Sequence, residues 1–347
     1  MIPSLSKQLR NLAVLLLLPA LIALQGCQTT QTASDQYPAV NSAGEGVYPE
    51  GSFVAKHGQL RVKRTQLCDE NGKPILLRGF STHDLKDYGA FANADAVDFL
   101  AKNWNVTVLR AALYVSSFRE DPTLERYVDE LVEATEKSGI YCIIDWHVLY
   151  EKNPSLTTAE AQEFFARKAQ QYAAKKHVIY EICNEPNGDD VKWEKDVKPF
   201  AQAVIPVIRR YDPDSVIIVG TPTWSQDVDI AARSPLAFYN VMYAFHFYAG
   251  SHGSDIKAKL RSTFDRLPVF CTEWGTTNAN GDGGPFEAKS SEWLSLVESM
   301  GVSWCNWSLS DAKETSAILK PGADPKGGWT DEDLTQSGLY VRAQLLK

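Results

Sequence analysis

The sequence predicts an α/β fold, a single (β/α)8 TIM barrel with an N-terminal β-hairpin. Three observations carry this. Eight compact, β-branched or aromatic runs alternate with segments of helical periodicity, as barrel strands alternate with their crossover helices. No glycine-rich phosphate loop appears, which favours a closed barrel over a dinucleotide-binding sheet. Nearly every run ends in His, Arg, Asn, Glu or Trp, and barrel folds keep their chemistry at the C-terminal ends of strands. The 347 residues suit one barrel of roughly 250 residues plus extensions.

The chain opens on an export signal. Lys7 and Arg10 head an apolar run, Leu12 to Leu24, broken only by Pro19 and too short to span a bilayer comfortably. It ends in Leu24-Gln25-Gly26-Cys27, which resembles the bacterial lipoprotein cleavage box whose new N-terminal Cys is lipidated. Residues 1–26 are read as a lipoprotein signal peptide with Cys27 as the lipidation site, against plain secretion with a chance Cys. Gln28 follows rather than Asp, so the same resemblance implies an outer-membrane address. Residues 27–52 are rich in Gln, Thr, Ser, Ala and Gly and read as a flexible tether. Membrane contact is expected only through that anchor, and the barrel domain occupies 53–347.

Gly58 to Leu77 reads as the hairpin, with a turn at Asp69-Glu70-Asn71-Gly72. The barrel strands are placed at Ile75–Phe80, Val106–Ala111, Ile140–Asp145, Val178–Cys183, Val216–Gly220, Val241–Phe245, Pro268–Thr272 and Ser303–Trp307. The clearest helical patterns are Thr123–Ser138, Thr158–Lys176 and Glu287–Met300. No short-period repeat or internal linker divides this region.

Composition excludes some functions. Net charge is −8 and no basic run occurs, which argues against nucleic acid. Cys68, Cys142, Cys183, Cys271 and Cys305 form no CxxC or Cys/His cluster for zinc. They read as buried free thiols; one disulfide would suit an exported protein, but nothing here assigns a pair. Several of the nine tryptophans sit beside Gly, Asn, His and Glu, which suits the faces of sugars as well as core packing.

The strand ends supply one list: His83, Arg110, Asp145-Trp146-His147, Asn184-Glu185-Pro186, Thr223-Trp224, His246-Phe247-Tyr248, Glu273-Trp274-Gly275 and Asn306-Trp307. Burying such groups costs several kcal/mol unless they are paired, so stability alone gives no reason to place them there. Glu185 and Glu273 stand out. A retaining glycosidase uses two carboxyls about 5–5.5 Å apart, one as nucleophile and one as proton donor. Side chains from the fourth and seventh strands can converge over a barrel axis. No H-x-H or H-E-x-x-H appears, and an Arg in the cluster opposes a cation, so neither metal nor cofactor is expected.

At these residues the chain resembles glycoside hydrolase family 5, in its bacterial endo-β-1,4-glucanase (cellulase) branch. The matching stretches run in order from residue 53 to about 325. They include Leu77-Arg78-Gly79-Phe80-Ser81-Thr82-His83, Val108-Leu109-Arg110-Ala111-Ala112-Leu113-Tyr114 and Tyr180-Glu181-Ile182-Cys183-Asn184-Glu185-Pro186. Thr223-Trp224-Ser225-Gln226-Asp227, Ala244-Phe245-His246-Phe247-Tyr248 and Thr272-Glu273-Trp274-Gly275 continue the match.

The resemblance implies a cofactor-free, retaining endo-β-1,4-glucanase acting on cellulose or related β-glucans, as a monomer. Mixed-linkage glucan, xyloglucan or mannan is the nearest alternative substrate, and a non-catalytic carbohydrate-binding envelope protein the alternative from another class. It implies that Glu185 is acid/base, its pKa raised in part by Glu273, and that Glu273 is nucleophile, held by Arg110 and Tyr248. It further implies that Asn184 and His147 contact the reacting sugar, His83 shapes its pocket and His246 sits beside Glu185. Trp307 becomes the sugar platform, with Trp224 and Tyr114 lining the cleft. Two places depart from the branch and bear on the distal, non-reducing-side sugar sites. Asp87 stands where a Trp is common, and Ala312 where a Lys is common, with Lys313 and Glu314 following; Glu314 is taken as a substrate-side residue.

Overall fold

The computed structural model describes residues 44–347. The expected signal peptide, residues 1–26, and Cys27 lie outside the described residues. The barrel is closed and all-parallel, with strands in the order β10-β3-β4-β5-β6-β7-β8-β9. Its strands are β3 (Arg78–Thr82), β4 (Val108–Tyr114), β5 (Tyr141–His147), β6 (Val178–Glu181), β7 (Ile217–Val219), β8 (Val241–Tyr248), β9 (Val269–Gly275) and β10 (Trp304–Leu309). All eight runs expected from sequence are strands. β3, β4, β5, β8, β9 and β10 extend two or three residues further, into the polar positions. Register there is fixed by ladder bonds to neighbouring strands, which outweigh the local apolar pattern.

The hairpin differs from expectation. It pairs β1 (Arg61–Lys63) with β2 (Gln66–Cys68), so its turn falls at Arg64-Thr65, with Arg64 in the left-handed region (φ 55°). Asp69–Gly72 forms a second turn, closed by Gly72 N–H donating to Asp69 O at 2.9 Å, before the bridge between Cys68 and Pro74. A short helix, Phe53–His57, precedes it. Together these elements plug the barrel floor. Val54, Leu60 and Leu67 pack in one cluster with Leu77, Val108, Tyr141, Ile143, Ile179, Met242 and Phe270. Each such side chain contributes about 1.5–3 kcal/mol by leaving water. Two residues at the end of the stretch expected as a tether, 27–52, make contacts with the outer elements of the barrel. Val47 N–H donates to Glu136 Oε1 at 2.8 Å, and the Tyr48 hydroxyl lies 3.1 Å from His177 Nδ1.

The outer helices follow their apolar stripes. Glu125–Ser138 buries Val128, Leu131, Val132 and Thr135, a one-sided i, i+3, i+4, i+7 face. Gly139 ends it at φ 66°, where a side chain would be strained. Thr158–Tyr172 buries Ala161, Phe164, Phe165, Ala169 and Tyr172, and stops four residues short of the expected end. All five cysteines of this region are free and buried.

Candidate active site

Strand periodicity stacks the barrel interior in layers. On β5, Tyr141 and Ile143 face the floor cluster, and Asp145 and His147 follow at the same period of two. β4 turns in Val108, then Arg110, then Ala112 and Tyr114, which reach the ring cluster at the mouth. β8 turns in Met242, Ala244, His246 and Tyr248 likewise. One step along each strand therefore exchanges hydrocarbon for charge.

Arg110 is fully buried at the centre of that charged layer. Its Nε donates to Glu181 Oε2 at 2.7 Å and its Nη2 to Glu181 Oε1 at 3.2 Å, a bidentate pair. Nη2 also donates to Asn184 Oδ1 at 2.7 Å and lies 3.0 Å from Asp145 Oδ2. Nη1 donates to Ser81 Oγ at 3.1 Å and to Glu273 Oε2 at 3.4 Å. One guanidinium thus serves three carboxylates, leaving the layer short of positive charge.

Above it stand Glu185 and Glu273. Carboxylate oxygens of the two, and a ring nitrogen of His246, lie within 4.8 Å of one another. Tyr248 donates its hydroxyl to Glu273 Oε1 at 2.7 Å, so each Glu273 oxygen has one donor. His246 Nδ1 is 2.9 Å from Glu185 Oε1, and Nε2 is 2.9 Å from Thr272 Oγ1. Both ring nitrogens are engaged, so the histidine offers no spare lone pair to a cation in the gap.

Burial pushes Glu185 up to about 8, opposed by Arg110 and assisted by Asp145 and Glu181. Repulsion between Glu185 and Glu273, whose oxygens lie within 4.8 Å of each other, acts on the pair as a whole. Burial and then Glu185 push Glu273 up to about 7, while His246, Arg110 and the Tyr248 hydroxyl pull it down. The two acids are coupled, and the donors on both Glu273 oxygens favour its charged form and place the shared proton on Glu185. Burial drives His246 and His83 down to about 4 and His147 well below its ordinary range, so all three are neutral near pH 7.

The cleft over these carboxyls has a volume of about 790 Å³ and is lined by His83, Tyr114, His147, Glu185, Trp224, His246, Tyr248, Glu273, Trp307 and Glu314. Arg110 and Asn184 lie beneath it. Trp307 stands 4.8 Å from the His83 ring and 5.7 Å from His147, and Tyr114 stacks on His147 at 4.0 Å. Glu314 Oε1 is 3.7 Å from His83 Nε2 and accepts from Ser316 Oγ at 2.6 Å. Asp87 is exposed; the neighbouring Tyr88 ring, not Asp87, meets His83, at 4.9 Å.

Trp224 is presented by an unusual turn. Thr223, Trp224 and Ser225 all hold left-handed backbone, with φ of 58°, 53° and 56°. Such residues cost about 1–2 kcal/mol each. The turn is tied to the Glu185 segment: Trp224 N–H donates to Pro186 O at 3.0 Å and Ser225 Oγ to Asn184 O at 2.6 Å. Gly220 permits this approach, since a Cβ there would meet Cys183 O at 2.4 Å.

Sequence reasoning missed Glu181 and Thr272, and gave Asp145 no role. Ile179 faces the floor cluster, so a period of two along β6 already turned Glu181 inward. Phe270 faces the same cluster, so the period of two along β9 turns Thr272 inward as well. Tyr150, Gln226 and His252 also line the cleft from loops.

Two carboxyls opposed across an open cleft, walled by rings and lacking any phosphate-binding loop, define a glycoside hydrolase. The family profile "Cellulase (glycosyl hydrolase family 5)" matches residues 68–313. An endoglucanase of Clostridium saccharobutylicum is 46% identical over 300 residues, covering 85% of this chain and 67% of that protein. Endoglucanase A of Evansella cellulosilytica is 47% identical over 298 residues, covering 85% of this chain and 61% of that protein. The chain thus spans about two-thirds of the length of these curated relatives or less. Among solved structures, the catalytic domain of an endoglucanase from Thermobifida fusca in complex with cellotetraose superposes with a TM-score of 0.81 at 37% identity. That match covers 86% of this chain and all of the other. The chain belongs to glycosyl hydrolase family 5, the cellulase family.

Proposed function

We propose that the protein is an endo-acting β-1,4-glucanase that cleaves by double displacement with retention. The observation that carries this is the Glu185–Glu273 pair, whose oxygens approach within 4.8 Å at the barrel mouth. That separation suits direct attack by one carboxylate; an inverting pair stands about 6.5–9.5 Å apart to admit water between. Glu185 gives its proton to the glycosidic oxygen while a Glu273 oxygen bonds to the anomeric carbon and the bond to the leaving sugar breaks. Arg110 and Tyr248 hold Glu273 in line for this attack. Water then attacks the same carbon, Glu185 takes its proton, and Glu273 departs as a carboxylate. Asn184, beneath the cleft, and His147, in its wall, face the reacting sugar, with Trp307 as its platform.

The named relatives are endoglucanases, and the Thermobifida protein holds cellotetraose; these support β-1,4-glucan as the substrate here. Product analysis on defined cello-, manno- and mixed-linkage oligosaccharides tests it. Internal cleavage of cello-oligosaccharides is expected, and preference for manno-oligosaccharides contradicts the assignment.

The same reading includes an envelope anchor at Cys27, supported by the Leu24-Gln25-Gly26-Cys27 box. Stable attachment takes more than one acyl chain. Cys27→Ser is expected to release active enzyme from the membrane fraction; unchanged fractionation speaks against lipidation at Cys27.

A further inference from the structure

A chain of buried hydrogen bonds fixes where one proton must sit. Glu181 forms a bidentate ion pair with Arg110, and that charge-assisted fork holds it as a carboxylate, with lone pairs only, against the upward push of burial. The Thr272 hydroxyl, 2.7 Å from Glu181 Oε1, therefore donates to it. A hydroxyl has one proton, so Thr272 Oγ1 offers only a lone pair to His246 Nε2 at 2.9 Å. The imidazole proton is then on Nε2. A neutral imidazole has one N–H, which leaves Nδ1 bare, facing Glu185 Oε1 at 2.9 Å. Two lone pairs hold that distance only with a proton between them, and it belongs to Glu185.

The neighbouring histidine is set the other way by the same logic. Arg110 Nη2 donates to Asn184 Oδ1 at 2.7 Å, which orients the amide. Asn184 Nδ2 then donates to His147 Nε2 at 3.1 Å, and His147 Nδ1–H donates to Asp145 Oδ2 at 2.7 Å. The two histidines therefore carry opposite tautomers.

We propose that Thr272, oriented by Glu181, locks His246 in its Nε2–H tautomer and so keeps the resting proton on Glu185. Thr272 is then a positioning residue for the acid. This rests on the reading of Glu185 as acid/base. The lock serves both half-reactions. Once Glu185 has given up its proton, its carboxylate faces a lone pair instead of an N–H, so it stays basic enough to take a proton from water.

The other charges around Glu185 do not explain the tautomer. Arg110 opposes the proton on Glu185, while Asp145 and Glu181 favour it. Glu273 lies across the gap and carries Tyr248 on one oxygen and Arg110 on the other. The loop holding the Glu185 backbone, through Val148 O, carries Glu151 and Lys152, and the turn at Trp224 carries Asp227. None of these contacts His246 Nε2 in place of Thr272.

The test combines ¹⁵N NMR of histidine-labelled enzyme with kinetics of Thr272→Val and Thr272→Ser. In the parent, His246 is expected to be protonated at Nε2 and bare at Nδ1, and His147 the reverse. An Nδ1-protonated His246 overturns the proposal whatever the substrate is. In Thr272→Val, His246 is freed to donate from Nδ1 to Glu185, which favours the ionised acid. The alkaline limb of kcat/KM on cello-oligosaccharides should move down by about one pH unit, lowering activity at pH 8 about fivefold. Cleavage of a dinitrophenyl cellobioside, whose leaving group needs no proton, should stay within about twofold, which also shows that the variant folds. Thr272→Ser should keep the parent tautomer and profile. Equal loss on both substrates with an unmoved limb means Thr272 acts only in packing, and the lock is wrong. If the parent cleaves neither substrate, the functional reading fails, and the NMR result still decides the tautomer.

Discussion

The two ends of the barrel are built from the same strands and do opposite work. At the floor, Ile143, Ile179, Met242 and Phe270 meet Val54 of the short helix and Leu67 of the hairpin in an apolar plug. Two residues on from Ile143 and Ile179, and four on from Met242, the same strands present Asp145, Glu181 and His246 around a buried arginine. Both ends have a surface depression, of about 610 Å³ beside the floor and about 790 Å³ at the mouth. The floor depression is lined by Ser52, Phe53, Lys102 and Lys137 together with Glu50 and Asp98, and neither of those acids is buried. The comparison teaches that depth along a strand, rather than cavity size, assigns function in this fold. Floor burial stabilises; mouth burial shifts pKa values at the expense of stability.

The largest expected effect is at the mouth. Glu273→Gln should lower kcat by about 10⁴-fold or more, because no neighbouring group can replace the nucleophile. Its melting temperature should hold or rise, since a poorly solvated carboxylate is removed. A variant keeping a tenth of the parent kcat would move the nucleophile elsewhere.

Glu185→Ala comes next. On cello-oligosaccharides it should lose about 10²–10⁴-fold, the usual worth of a general acid. An activated aryl glycoside should still glycosylate Glu273, seen as a burst of phenol. Equal losses on both substrates would exchange the assigned roles or remove them.

A floor substitution should show the opposite signature. Ile143→Ala deletes buried methyl groups in the plug and should cost about 2–5 kcal/mol of stability by denaturant unfolding. Its kcat below the transition should stay within about twofold of the parent. A large fall in kcat without loss of stability would break the division between the two ends.

The smallest effect is the pH dependence of stability. Glu185 has a folded pKa raised to about 8 from an ordinary 4.5. Its proton is held more tightly in the folded state, so its contribution is fully present below the ordinary value. It is lost as pH rises from there through 8. Stability should therefore decline across that window, and Glu185→Gln should flatten part of the slope. A rise in stability over the same window in the parent, unchanged in the variant, would contradict the burial argument.

Much of this was legible in the sequence because barrel strands are local signals. All eight runs stood out as apolar segments, and the catalytic pair stood out because charged residues closed them. The floor was read less well. Asp69–Gly72 looks like a hairpin turn by composition, yet pairing of Val62 with Leu67 puts the turn at Arg64-Thr65. The floor cluster rewards burying Leu67, and no local turn preference competes with that. The charged layer was half legible. Arg110 and Glu185 announce themselves, but Glu181 and Thr272 act only through partners on other strands. The Tyr88 contact with His83 depends on a loop path that spacing from His83 does not determine.

Attack by Glu273 with protonation by Glu185 across a short gap dictates the stereochemistry of the first product. Proton NMR of the first product from a cello-oligosaccharide, recorded before mutarotation, tests it most directly. Two displacements at one carbon restore its configuration, so the anomeric signal should appear first as β and only later equilibrate toward α. An α anomer appearing first would mean a single displacement by water, and would contradict the assignment of Glu273 as nucleophile.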